Sequence, residues 1–387
     1  MFRKKDYLEK LYYSDKPLII YKSKHGYDVF TDFVEKIKLN DSNINQFFKK
    51  VQNQKENNKY FGYVGFFGHE ILCSLIGLKT YKRNNNFPKG IFYKPKTVIH
   101  IRKGKEINNK IKNLNHSNFK VNLSLKKYTE IFNKCTKKIK KGETYQIKIC
   151  QKYNKRCNID SINFFWKLMS INSSPESFFI RDKDYSIISC SPETLIDKRK
   201  NKIITKPIAG TMKKNNHTTF LKAKHFFQKN KKESKEHNMI VDMERNDLSR
   251  VCKPGSVKIT KLKYVEEYKD LYHYITEISG KLNERKTIKD IVKAMMPGGS
   301  VIGCPKMNTL KILNNFEKQN RNIYTGSFGY IKNNLDMRFN IIIRSILIYK
   351  DKCEISTASG VVIGSKAKKE YEENYIKAKA LLGLFKK

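Results

Sequence analysis

Acidic residues are scarce in this chain: 36 Asp and Glu stand against 80 Lys and Arg, a net charge of +44 over 387 residues. Such an excess suits nucleic acid or an acidic membrane when it gathers into a patch. Here the lysines are spread over loops and helix faces, and no basic stripe is interleaved with aromatics. The charge therefore reads as a drift toward Lys, Asn and Ile, not as a nucleic-acid surface. The densest run, Lys137-Lys138-Ile139-Lys140-Lys141, ends at Gly142 and reads as the solvated end of a helix. The eight cysteines include no C-x-x-C pair, which argues against a zinc site and a disulfide framework and for reduced thiols in a cytosol. No uncharged run approaches a membrane span, and the charged start Met1–Asp6 does not resemble a signal peptide. The expectation is a soluble cytoplasmic protein.

Two further absences narrow the chemistry. Pro297-Gly298-Gly299-Ser300 lacks the Gly-x-x-x-x-Gly-Lys-Ser/Thr spacing of a phosphate cradle, which argues against nucleotide binding. Cys304 lies in a Gly-x-Pro-Lys turn without a supporting triad motif, which argues against a glutaminase in this chain.

The length allows a large core in one or two domains. Residues 1–125 carry the weaker pattern, with strand-like runs at Pro17–Tyr21 and Tyr60–Gly68 and Asn- and Lys-rich breaks near 52–58, 83–87 and 106–118. Residues 126–387 read more clearly. Helices are expected at Lys126–Lys141, Ile162–Ile171, 232–250, Ile288–Ala294 and Lys306–Asn315, with a closing helix from Lys366. Strands are expected at Thr144–Lys152, Ser177–Arg181, Ile187–Ser189, 324–331, 339–349 and 353–363, with a hairpin at Asp197–Pro207. Helices and hairpins in succession, without strict βαβ alternation, indicate an α+β fold with large, mostly antiparallel sheets packed between helices.

Against the basic background, two glutamate-bearing segments stand out. One runs Lys232-Glu233-Ser234-Lys235-Glu236-His237, the other Glu370-Tyr371-Glu372-Glu373 with Lys377 beyond it. In each, glutamates three residues apart share one helical face. Two such helices facing each other would form an oxygen-rich pocket suited to a hard cation such as Mg²⁺.

These segments belong to an ordered series of motifs. Ser191-Pro192-Glu193 is followed by Lys206-Pro207-Ile208-Ala209-Gly210-Thr211 and by Glu236-His237-Asn238-Met239-Ile240-Val241-Asp242-Met243-Glu244-Arg245-Asn246-Asp247-Leu248. Tyr272–Gly280, Pro297–Ser300, Gly303–Lys306, Ile343-Arg344-Ser345, Ala358-Ser359-Gly360 and Glu370–Glu373 complete it. The series resembles the chorismate-utilising enzymes, in particular the large subunits of anthranilate synthase and aminodeoxychorismate synthase, over about residues 142–380.

The resemblance implies a set of roles. Glu236 and Glu373 would hold Mg²⁺, with Glu233 and Glu370 in or just behind that shell. Glu193 would be the general acid that protonates the departing C4 hydroxyl of chorismate, with His273 near the leaving group. Gly210 and Thr211, read as a turn, would meet substrate through backbone and hydroxyl. Tyr324 and Arg344 would grip the enolpyruvyl carboxylate, a task that suits the fork of Arg. The Ala358-Ser359-Gly360 turn matches a family Gly-x-Gly turn whose N–H groups hold a carboxylate; Ala358 replaces the first Gly, so Gly360 carries more weight. Lys377 would contact a substrate carboxylate or balance the metal ligands.

Two positions discriminate within the family. Isochorismate and salicylate synthases carry a Lys base where this chain has Gln146, so ammonia is the expected nucleophile. Aminodeoxychorismate synthases typically carry a covalently reacting Lys where this chain has Ala209, although Pro297–Ser300 is closer to that subgroup. The resemblance thus implies an anthranilate synthase large subunit fed with ammonia by a separate glutamine amidotransferase subunit; aminodeoxychorismate synthase component I is the alternative. The Leu-Leu-Glu-Ser segment of the family's tryptophan pocket is not found, and Asn172-Ser173-Ser174-Pro175 keeps only a trace of its second half. Weak or absent tryptophan feedback is expected.

Overall fold

Aromatic and β-branched runs alternate with short turns along most of the chain, and the computed structural model joins them edge to edge. It describes residues 7, 10–54, 61–80, 87–102, 118–214, 218–268 and 271–385. Met1–Asp6 and most of the three Asn- and Lys-rich breaks lie outside these residues.

The first part of the chain forms β1 (Leu18–Ser23), β2 (Gly26–Lys38), α1 (Ile44–Gln52), β3 (Gly62–Phe67), α2 (His69–Leu75), β4 (Gly90–Ile101) and β5 (Lys120–Val121). The middle part forms α3 (Leu125–Lys140), β6 (Gln146–Arg156), α4 (Ser161–Ile171), β7 (Glu176–Asp182), β8 (Tyr185–Ser191), β9 (Thr194–Arg199), β10 (Lys202–Thr205) and β11 (Ile208–Lys213). Helices α5 (Phe220–Lys229) and α6 (Lys231–Ser249) follow, then β12 (Lys258–Glu267), β13 (Leu271–Lys281), α7 (Ile288–Met295), β14 (Gly303–Cys304) and α8 (Lys306–Glu317). The chain closes with β15 (Ser327–Lys332), β16 (Met337–Asn340), β17 (Ser345–Tyr349), β18 (Lys352–Val361) and α9 (Ala367–Gly383).

The strands pair antiparallel in one path, β6–β18–β17–β8–β7–β1–β2–β4–β3–β15–β16–β9–β10–β13. β11 and β12 add to β13, and β14 and β5 add to β6. The N-terminal strands β1, β2, β4 and β3 form one block of the path, joined on each side to strands from beyond residue 125, so the N-terminal segment is part of the same sheet. This is the α+β, antiparallel architecture expected. A core of Ile19, Phe30, Val64, Phe66, Phe178, Ile187 and Phe328 fills the space between sheet faces. The outer faces are covered by helices, α1, α3, α7 and α8 on one core and α4 with the end of α9 on another. Each fully buried large side chain contributes about 1.5–3 kcal/mol.

Local signals explain the helices. Ser124 caps α3 by accepting from the Lys127 N–H, and Tyr128, Phe132, Cys135 and Ile139 form its buried stripe. Thr287 and Asp290 close a capping box on α7. No helix among the described residues is long and apolar enough to cross a membrane. All eight cysteines are free thiols, and seven are buried.

Three local expectations are corrected. The strand expected at 339–349 divides into β16 and β17, because Arg344 takes a positive φ of 50° and breaks the extended run. Ala358-Ser359-Gly360 is not a turn; it lies inside β18, paired with Cys150, Ile149 and Lys148 of β6. Gly210 and Thr211 lie in β11, where a bulge between Ile208 and Thr211 and a Gly210 φ of 95° replace the expected turn.

One buried ion cluster ties the path together. Arg338 on β16 reaches Glu176 of β7 (Nη2–Oε1 2.5 Å) and Asp197 of β9 (Nη1–Oδ2 2.7 Å). Glu176 is fully buried and also accepts from the Tyr21 and Thr194 hydroxyls. Arg338→Met would strand that carboxylate, and denaturant unfolding is expected to register a loss of about 3–5 kcal/mol.

Candidate active site

Sheet order places the ends of β11 and β13, helix α6, strands β6 and β18 and helix α9 around one cavity of about 400 Å³. Its wall includes Glu193, Gly210, Thr211, Glu233, Glu236, His273, Tyr324, Arg344, Ala358, Glu373 and Lys377. The fold thus gathers eleven of the fourteen residues singled out from sequence. A larger surface recess of about 970 Å³ along α5 contains none of them.

The glutamates arrive on two helices. The Asn230 side chain caps α6 by accepting from the Glu233 N–H, which fixes the first turn that carries Glu233, with Glu236 one turn on. Gly210 opposes that turn: a Cβ there would lie 3.2 Å from Glu233 Oε2 and 2.9 Å from the Phe227 ring, so only glycine fits. Glu236 Oε1 accepts from Gln146 Nε2 at 2.9 Å and pairs with Lys148 Nζ at 3.3 Å. The Lys148 charge, above all, holds the Glu236 pKa down to about 2. On α9, Glu373 pairs with Lys377 at 2.7 Å, and Lys377 also donates to the Ala358 carbonyl at 3.0 Å. Glu370 lies outside the cavity wall; it is buried and accepts from the Ser365 hydroxyl at 2.9 Å.

Among the described residues no group of three His, Cys, Asp or Glu side chains forms a ready-made metal cage. Two carboxylates across one cavity still fit Mg²⁺, which takes one or two protein carboxylates and completes its shell with water and substrate.

Opposite the carboxylates lies an acid of a different kind. Glu193 is buried, and burial pushes its pKa up to about 7. The Ser300 hydroxyl donates to its Oε1 at 2.7 Å, which leaves the other oxygen toward other partners. Ser300 belongs to the Pro297–Ser300 motif, whose place in the site was not read from sequence. His273 is buried, and burial with the Arg344 charge lowers its pKa to about 3, so the ring is neutral. Its Nδ1 lies 3.0 Å from the Thr211 hydroxyl, because Thr211 and His273 are register partners of β11 and β13. Its Nε2 is buried and makes no hydrogen bond among the described residues.

Arg344 Nη1 is likewise buried without a hydrogen-bond partner among the described residues. Tyr324 is buried and shares the cavity wall with it. Ser359 points away, its hydroxyl 2.9 Å from that of Tyr128. Gly360 is also absent from the wall, and its role is space: a Cβ there would meet Gln146 Nε2 at 2.8 Å and Lys148 Nζ at 2.9 Å. Lys148 itself lines the cavity and was missed in the sequence. The signal was available, since strand alternation puts it on the same face as Gln146.

The profile of the chorismate binding enzyme family matches residues 11–383. Aminodeoxychorismate synthase component 1 of Bacillus subtilis is 34% identical over 256 residues, covering 65% of this chain and 54% of that protein. Anthranilate synthase component 1 of Aquifex aeolicus is 33% identical over 267 residues, covering 68% and 54%. The chain thus spans about half the length of these curated relatives. The structure of anthranilate synthase component I from Streptococcus pneumoniae superposes with a TM-score of 0.75 at 22% identity, covering 94% of this chain and 90% of that one. MenF, the menaquinone-specific isochorismate synthase from Escherichia coli, gives 0.76 at 15% identity, covering 97% and 90%. The two structural likenesses concern the fold.

Proposed function

We propose, since the chain belongs to the chorismate binding enzyme family, that it is an anthranilate synthase large subunit. It would convert chorismate and ammonia to anthranilate and pyruvate in tryptophan biosynthesis, in the cytoplasm. The ammonia would come from a glutamine amidotransferase subunit, a partner consistent with relatives that are named component 1. The observation that carries this reading is the cavity wall at Ala209, a methyl group packed on Ile240 and Met243 where a reacting lysine would otherwise stand. Gln146 supports it, because an amide bound to Glu236 cannot deprotonate water.

The residues divide the work as follows. Glu236 and Glu373, with Glu233 beside them, would hold Mg²⁺, which when bound supplies the charge that anchors and polarises the ring carboxylate. Arg344 and Tyr324 would receive the enolpyruvyl carboxylate. Glu193, whose pKa burial raises to about 7, would give its proton to the C4 hydroxyl as ammonia adds at C2. Neutral His273, its ring fixed through Thr211, presents Nε2 to the departing oxygen. Pyruvate would then leave as the ring aromatises.

The test is chorismate with ammonium chloride and MgCl₂ on the purified chain, with products resolved by chromatography. Anthranilate with pyruvate supports the reading. Aminodeoxychorismate without pyruvate would replace it with the folate-precursor reaction of the Bacillus relative's name. Isochorismate would overturn both.

Tryptophan control follows from a separate place. β1 ends in Lys22-Ser23, and the Lys22 ammonium donates to the Ser173 hydroxyl in the Asn172–Pro175 segment. A fixed cation there repels the ammonium of a free amino acid. Micromolar tryptophan is therefore expected to leave turnover unchanged in an initial-rate assay.

A further inference from the structure

Lys148 stands apart from every role assigned above. Its strand is anchored on both sides: the Lys148 N–H donates to the Ile302 carbonyl at 3.0 Å, and buried Arg321 donates to the Lys148 carbonyl at 2.7 Å. Ile147 and Ile149 bury the opposite face of β6 in the core. The side chain is therefore driven into the cavity, where only 12% of it is exposed. Gly360 makes the room, since a methyl group there would crowd the ammonium. Lys377 pairs with Glu373 but is 42% exposed and can swing toward solvent. Lys148 has no such exit, so a departure from Glu236 keeps its charge inside the cavity.

This inference rests on the reading that Glu236 is a metal ligand. A divalent ion approaching that carboxylate meets an ammonium already seated on it, and like charges repel strongly in a partly enclosed site. We propose that Lys148 is the resting counter-cation of Glu236, displaced when a divalent ion binds, and that the displaced ammonium then takes a carboxylate of the substrate. Metal and dianionic substrate thereby bind cooperatively: the substrate relieves the repulsion between ion and lysine, and the ion releases the lysine to the substrate. The empty protein is held ready with its acidic pocket neutralised, and the ion is taken up tightly only together with the anion it serves.

The experiment titrates the full chain with Mn²⁺, read by paramagnetic resonance, without and with chorismate in the absence of ammonia. In the unsubstituted protein Mn²⁺ is expected to bind weakly alone and more tightly with chorismate. Lys148→Met is expected to tighten Mn²⁺ binding without chorismate by about tenfold, and to lose most of the gain that chorismate confers. Lys148→Arg keeps the cation and is expected to retain the weak, chorismate-dependent binding, which separates charge from any effect on folding. Unchanged Mn²⁺ affinity in Lys148→Met would overturn the proposal. Glu236→Gln isolates the reading beneath it: if that change leaves Mn²⁺ binding intact, the metal assignment itself fails. If Glu236→Gln abolishes binding while Lys148→Met does nothing, only the role of the lysine falls.

Discussion

Glu193→Gln is expected to lower kcat by about 10²–10⁴-fold, the range for loss of a positioned general acid. The change keeps shape and the Ser300 contact but removes the carboxyl proton. Burial drives the shift, because the low-polarity surroundings penalise the charged form. Its sign sets the pH dependence. A carboxyl raised from 4.5 to about 7 is protonated below neutrality and ionised above it. Turnover should therefore fall as pH rises through about 7, and the Gln variant's residual rate should lack that descending limb. His273 does not complicate the profile, since a ring with a pKa near 3 stays neutral across the assay range. A pH–rate series on both proteins checks this. A Gln variant with near-normal kcat, or one that keeps the limb near pH 7, would remove Glu193 from the role.

The half of the chain with this acid was the half that could be read. Its motifs place Gly, Pro, Glu and Arg where a bulge, a cap or a buried charge demands them, and such demands survive a drift in composition. Gly210 is the clearest case: its positive φ and the crowding by Phe227 and Glu233 admit no other residue. The N-terminal strands gave less away. β2 runs 13 residues, but its second half alternates between exposed and half-buried positions, and lysines there blur the period of two. Beyond the N-terminal part, β12 is exposed or half-buried along its whole length, and the apolar residues of Lys258–Glu267 follow no period of two. β2 is completed on its edge away from β1 by β4, a partner far away in sequence. Lys148 was hidden for a different reason. One lysine among so many looks like drift until strand register places it beside Glu236. Ser300 is hidden because its motif carries no charge or ligand pattern of its own, while its hydroxyl donates to the buried acid.

Arg344→Met is expected to raise the KM for chorismate by about 10²–10³-fold, as removal of a charge-assisted, two-pronged contact to a carboxylate would. Arg344 stands where β16 gives way to β17, in a left-handed conformation that a non-glycine residue adopts at some cost. Its carbonyl accepts from the Cys190 N–H at 3.1 Å, which fixes the backbone and aims the side chain into the cavity. There Nη1 is buried and unpaired among the described residues. A half-buried cation without its full set of partners destabilises the folded chain, so the fold keeps it for a ligand that supplies the missing anion. That reasoning predicts opposite movements in two measurements. Substrate binding should weaken sharply, while thermal stability without substrate should hold or rise, because an uncompensated charge has gone. Arg338, whose two carboxylates are already in place, should behave the other way and lose stability when replaced. Arg344→Lys is expected to recover little, since a point charge on a flexible stem cannot reproduce the planar fork. If Arg344→Met instead melts earlier and binds chorismate normally, Arg344 is a structural ion and the enolpyruvyl carboxylate must be held elsewhere.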